Sequence, residues 1–255
     1  MSPVLCMISD GGWVAQAENL CRQIRQLGAS NRICLLLLDA IPESYCSMLS
    51  DLAVEISVSD GRCWPSLLPR TGIKLWLPTF FSAEEYILLD SDLIILSEDF
   101  FKAFAPAHGR MKLVRESSLV WRAGKKGVSE QHTNIVGQPV LQTGVMSFER
   151  SFWDAHFPEL LNRIENDPSE FGDMVAVNQF MIDNPQLLEP VSEEACLVLR
   201  PTGGGPSTRV HLPRTRVTDG KLLYEGKCVL SLHYTHSEGK VCTYQDISSM
   251  MGGAE

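Results

Sequence analysis

The chain has 255 residues, 31 acidic against 22 Lys plus Arg, and a formal net charge of −9. Hydrophobic residues make up 44% and charged residues 21%, a globular composition rather than a disordered one. An acidic balance argues against a broad nucleic-acid-binding face. No run approaches the roughly 20 apolar residues of a membrane span, so no integral membrane segment is expected. The start, Met1-Ser2-Pro3, lacks a basic n-region and reads as no signal peptide.

Val4 to Ile8 is a short apolar run that ends in a turn cluster, Ser9-Asp10-Gly11-Gly12. Val14 to Leu27 carries apolar residues at helical offsets, and Gly28 is a natural stop. Ile33 to Leu38 reads as a strand buried on both faces. Pro42 to Leu52 predicts a helix and Ala53 to Val58 a strand. Lys74 to Phe81 predicts a helix that Pro78 kinks or ends. Tyr86 to Asp90 and Leu93 to Leu96 read as strands either side of a tight break. Strands alternating with helices imply a mostly parallel sheet covered on both faces.

The second half is less regular. Arg115 to Gln138 is polar and reads as a long excursion rather than a core element. Trp121, Arg122, Lys125, Lys126 and His132 give it a basic, aromatic character suited to acceptor contacts or a lid. Gln142 to Phe148 returns to strand character, and Phe152 to Ile164 and Met174 to Ile182 read as helices. Pro201 to Pro206 is a Gly-rich loop, Leu222 to Tyr234 a hairpin arm feeding a last strand, and 250–255 a tail. Eight cysteines show no zinc or disulfide spacing; Cys6, Cys34 and Cys228 lie in apolar runs as small core hydrophobes. Reduced thiols point to a cytoplasmic protein, or one peripheral at a membrane.

The most informative segment is Tyr86-Ile-Leu-Leu-Asp90-Ser91-Asp92-Leu93. On an extended chain, residues i and i+2 point to one side, so Asp90 and Asp92 are expected to converge beyond a strand's carboxyl end. Open α/β sheets bind ligands there. Two like charges held together are costly without a cation, and a hard divalent ion relieves them. A polar turn with solvated acids is the bland alternative. A haloacid dehalogenase-like phosphatase is another, although that motif belongs on a first strand.

Around this segment the chain resembles the family 8 glycosyltransferases, the glycogenin and bacterial galactosyltransferase group. Val4 to Trp13, Lys74-Leu-Trp76, Tyr86 to Asp92, Gln142-Thr143-Gly144-Val145-Met146, Gly172-Asp173-Met174…Asn178 and His233-Tyr234…Gly239-Lys240 match family segments in order. The resemblance implies an α/β, GT-A fold: a Rossmann-like, mostly parallel sheet flanked by helices, with a smaller antiparallel acceptor-side region. It implies a single domain over 1–249, with a nucleotide-binding half to residue 100 and a sugar and acceptor half beyond it.

The implied activity is transfer from a nucleotide-sugar donor, a UDP-sugar, with Mn²⁺ or Mg²⁺ and with retention. The acceptor is an unidentified glycan, lipid-linked glycan or other molecule. Asp90, Asp92 and His233 would hold the metal, with His236 the competitor for the third place. Asp10 and Trp13 would meet the base. Lys74, Ser91 and Lys240 would face the diphosphate. Gln142, Thr143, Gly144 and Asp173 would line the sugar pocket, with Asp173, Gln142 and Lys240 the catalytic set. Gln142 stands where the family has Asn and Met174 where it has Gln, which keeps open a non-catalytic nucleotide-sugar-binding module.

Overall fold

The computed structural model describes residues 2–59, 70–122, 134–166, 172–199 and 211–234. The Pro201 to Pro206 loop, the middle of the polar run (123–133), the tail at 250–255, His236 and Lys240 lie outside the described residues.

The first half runs β1 (Val4–Ser9), α1 (Val14–Gln26), β2 (Ile33–Leu37), α2 (Glu43–Asp51) and β3 (Val54–Val58). The apolar stripe of α1 buries Val14, Ala17, Leu20, Cys21 and Ile24 against β1 and β2. Gly28 ends the helix at φ +75°, a backbone state that costs glycine little, and its N–H donates to the Arg25 carbonyl. A 3-10 segment, Arg70–Trp76, leads into the short α3 (Leu77–Phe80). The expected single helix is therefore split. Pro78 falls in its first turn, where a missing N–H removes no helical bond.

Next come β4 (Glu85–Leu89), β5 (Leu93–Ile95), α4 (Asp99–Ala103), β6 (Met111–Val120), β7 (Pro139–Glu149), α5 (Arg150–Glu165) and α6 (Gly172–Asp183). The chain then forms β8 (Leu188–Val191), β9 (Leu197–Val198), β10 (Thr215–Thr218), β11 (Lys221–Tyr224), β12 (Lys227–Cys228) and β13 (Ser231–His233). The seven-stranded sheet has the order β3-β2-β1-β4-β7-β6-β8. Within it β7 is antiparallel to both neighbours, and the other pairs are parallel. One small sheet, β10-β11-β12, is antiparallel as expected; the other, β5-β13-β9, is mixed, because β13 runs parallel to β9.

Two expectations from the polar run are corrected. Arg115 to Val120 is part of β6, inside the large sheet, not an excursion. There the exposed Arg115 and Ser117 alternate with a buried Glu116, so a charged residue holds the inward phase and hides the strand's periodicity. Trp121 is also no acceptor contact: it is buried with Ile135 and Val175, and its indole N–H donates to Asn178 Oδ1 at 2.9 Å. Cys6 and Cys34 are core residues, but Cys228 is exposed on the short β12.

Asn178 joins α6 to β7. Its Oδ1 accepts from the Leu141 N–H at 2.8 Å as well as from Trp121, and its Nδ2 donates to the carbonyls of Leu141 and Met174. Asn178→Ala leaves buried backbone groups and an indole N–H without partners. A loss of about 3–5 kcal/mol is expected, read as a lower urea midpoint at unchanged slope. A midpoint within error of the parent would refute this stitching role.

Candidate functional site

The sheet order places a switch point between β1 and β4: from β1 the chain steps to β2 on one side, and β4 joins on the other. Ligands of open α/β sheets bind beyond the carboxyl ends at such a point. A cleft of about 250 Å³ lies there, lined by Ser9, Asp10, Trp13, Lys74, Asp90 and Asp92, among others. Ser91, a buried residue, lines it too.

The loop after β1 is held by two carboxylates. Asp10 Oδ1 accepts from the Gly12 N–H at 2.9 Å, and Asp39 Oδ1 accepts from the Gly11 N–H at 2.6 Å. The Asp10 carbonyl accepts from the Trp13 N–H, which sets Trp13 half-buried at the cleft wall.

Asp90 and Asp92 do converge, but not as an extended pair. Asp90 follows the last residue of β4, and Ser91 and Asp92 form a turn before β5. Two long-range backbone bonds fix that turn. The Asp90 N–H donates to the Gly144 carbonyl at 2.8 Å, and the Tyr234 N–H donates to the Asp92 carbonyl at 3.0 Å. The second bond sets His233, opposite Leu93 across β5 and β13, beside the carboxylates. His233 Nε2 lies 3.1 Å from Asp92 Oδ1 and 3.7 Å from Asp90 Oδ2. One ligand atom from each of the three residues lies within 4.8 Å of the other two.

This set fits a divalent cation. Two carboxylates and one imidazole are ligand types that divalent metals take. Burial raises the Asp90 carboxyl above its ordinary value, and the nearby Asp92 and Asp173 add to that against the pull of Lys74 and His233. Burial alone would lower the His233 imidazole, but Asp92 and Asp90 carry it above the ordinary histidine value. The carboxylates that raise His233 are the same ones a cation would relieve.

Lys74 is deeper than a phosphate-facing lysine is expected to be. Its side chain is 5% exposed, and its ammonium lies 3.0 Å from Asp90 Oδ1 and 3.0 Å from Asp173 Oδ2. It also donates to the Thr143 carbonyl at 2.8 Å. Burial disfavours its charge, yet the two carboxylates hold its value above that of an ordinary lysine. Asp173, in the first turn of α6, accepts from Thr143 Oγ1 at 3.0 Å. Lys74 therefore ties Asp90, expected at the metal, to Asp173, expected in the sugar pocket.

Gln142, at the same end of β7, donates from Nε2 to Glu116 Oε1. Sequence reasoning missed Glu116, since a lone carboxylate in a polar run carries no signal of burial. Gly144 lies against His233, and a Cβ built on it would stand 2.6 Å from the imidazole Nδ1 and Cε1.

No protein-family model matches the chain, and no curated protein matches it. Solved structures do. The galactosyltransferase LgtC, crystallised with donor and acceptor sugar analogues, superposes with a TM-score of 0.63 over 98% of this chain and 95% of that one, at 14% identity. The chain has the GT-A fold. The glycosyltransferase GlyE of Streptococcus pneumoniae TIGR4, in its apo form, shares it with a TM-score of 0.62 at 16% identity, over 93% of this chain. That alignment covers 55% of GlyE, so the chain spans about half of that protein's length. In this GT-A chain, β1 and β4 carry the cleft, and β13 brings His233 to the Asp90 turn.

Proposed function

We propose that the chain is a metal-dependent glycosyltransferase of the family 8 type, built as a single GT-A domain over residues 1–249. It moves a sugar from a UDP-sugar to an acceptor hydroxyl with retention. The observation that carries this reading is the meeting of Asp90, Asp92 and His233 beside the cleft at the β1/β4 switch point.

In the proposed reaction the bond from the anomeric carbon to the diphosphate oxygen breaks, and a bond to the acceptor oxygen forms. The acceptor's proton passes to the departing phosphate oxygen, so no protein base is required. Asp90, Asp92 and His233 would hold Mn²⁺ or Mg²⁺, which when bound stabilises the charge on the diphosphate. Asp10 and Trp13 would orient the base, and Ser91 and Lys240 would face the phosphates. Gln142, Thr143 and Asp173 would shape the sugar pocket. The Lys74 ammonium holds Asp90 and Asp173 in a fixed relation and compensates their charge.

One observation favours a second reading, a nucleotide-sugar-binding module without turnover. Asp173 is engaged by Lys74 and Thr143, and the Gln142 amide by Glu116, so the expected sugar-facing groups already have protein partners.

Thermal melts with UDP, with and without Mn²⁺, test the shared premise. A ligand at about 100 times its Kd stabilises the fold by roughly 2.7 kcal/mol. The expected result is a rise in midpoint that needs UDP and Mn²⁺ together. No rise with any nucleotide would sink both readings. A rise without slow UDP-sugar hydrolysis or transfer would select the binding module. Among the described residues, no helix is long and apolar enough to cross a membrane.

A further inference from the structure

A histidine that ligates a metal through one ring nitrogen ordinarily donates its other N–H to a carboxylate, carbonyl or water, and that bond fixes the ring. His233 departs from this. Its Nε2 faces Asp92 and Asp90, while its Nδ1 is buried and has no hydrogen-bond partner among the described residues. Gly144 of β7 lies against that side of the ring.

We propose that Gly144 is the positioning residue for His233, holding the imidazole toward Asp90 and Asp92 by close packing where a hydrogen bond would otherwise do so. The inference rests on the metal reading above.

Three observations carry it. A Cβ at Gly144 would stand 2.6 Å from both Nδ1 and Cε1 and 3.3 Å from Cγ, so no side chain fits while the ring keeps its place. The Gly144 backbone is not in the left-handed region, so the demand for glycine comes from the ring alone. The strand that carries the ring is itself held in place. β13 is bonded to β5 on one side and β9 on the other, and the His233 carbonyl accepts from the Leu199 N–H at 3.0 Å. The Gly144 carbonyl accepts the Asp90 N–H, so Gly144 sets one ligand through its backbone and another through its missing side chain. A glycine in the interior of a strand weakens the strand, and here the close approach of a ring is the reason for it.

The test is a thermodynamic cycle on Mn²⁺ binding to the nucleotide-free protein, followed by the paramagnetic resonance of free Mn²⁺, with metal-free melts alongside. Gly144→Ala is expected to weaken Mn²⁺ by about 10- to 100-fold, the range for loss of a ligand's supporting contact. His233→Ala should weaken it at least as much. The double variant should be no weaker than His233→Ala, because Gly144 acts through that ring. It should also melt above Gly144→Ala, because the methyl then occupies space the imidazole has left. A purely structural glycine would show no such rescue.

If Gly144→Ala does not fold, a folded double variant still supports the proposal, and an unfolded one overturns it. Unchanged Mn²⁺ affinity in Gly144→Ala, with His233→Ala weakened, overturns the positioning role and leaves the metal site standing. A parent protein that binds no Mn²⁺ overturns both.

Discussion

Replacing Asp92 by Asn is expected to lower the rate of metal-dependent transfer or donor hydrolysis by on the order of 10³-fold. The change keeps the shape of the side chain and removes one of two carboxylates around the proposed ion. It also removes the negative charge nearest to His233, on an atom 3.1 Å away. The fold should survive. The backbone of Asp92 is held by the Tyr234 N–H, and loss of a charge beside Asp90 relieves like-charge repulsion. A far-ultraviolet spectrum and a metal-free melt close to the parent would confirm that only the site has changed. Full retention of Mn²⁺-dependent activity in Asp92→Asn would remove the metal role from the motif.

A stability effect as large as that of Asn178→Ala is expected at Lys74. Its ammonium is the shared cation of Asp90 and Asp173; the Asp173 side chain is 5% exposed, and that of Asp90 27%. Removing one partner of a buried pair strands the other's charge, and Lys74→Met is expected to cost about 3–5 kcal/mol at neutral pH. The pH dependence has a definite sign. Lys74 titrates above the ordinary lysine value, so in the parent its contribution is fully present below that value and is lost only as the pH rises through the higher folded one. In Lys74→Met the Asp90 carboxylate loses the cation that lowers it, and it titrates higher in the folded state. The variant's deficit should therefore shrink as the pH falls and the stranded Asp90 takes up a proton. Urea midpoints for both proteins at pH 5 and pH 8 read this directly. A deficit that grows toward acid would contradict the geometry.

Legibility from sequence followed what each signal depends on. The β1 to β3 alternation was readable because β1 and β2 are buried along nearly their whole length and α1 keeps one apolar stripe, both local patterns. The Asp90-Ser91-Asp92 motif was readable because apolar strands frame it, although the two acids converge through a turn and not along a strand. β6 was not readable past Val114, since Glu116 occupies an inward position, where it meets the Gln142 amide, a contact that no local pattern announces. Lys74 shows the same limit: nothing local distinguishes a lysine facing solvent from one enclosed by Asp90 and Asp173. His233 could be singled out by type but not by position. What places it is its pairing across β13 with a strand far earlier in the chain.

That pairing bears on the order in which the molecule comes together. The contact between Asp92 and His233 spans 141 positions. Closing a loop of that length costs about 4 kcal/mol of chain entropy before any contact repays it. The cleft wall made by β1, β2 and β4 draws on the first 90 residues and can form while the rest of the chain is still searching. Long-range pairing of this kind is the slow part of folding. The β1/β4 cleft thus rests on strands close together in the chain, and the Asp92–His233 contact on one far from them. A chain arrested before β13 docks is expected to present the two acids with no imidazole opposite them.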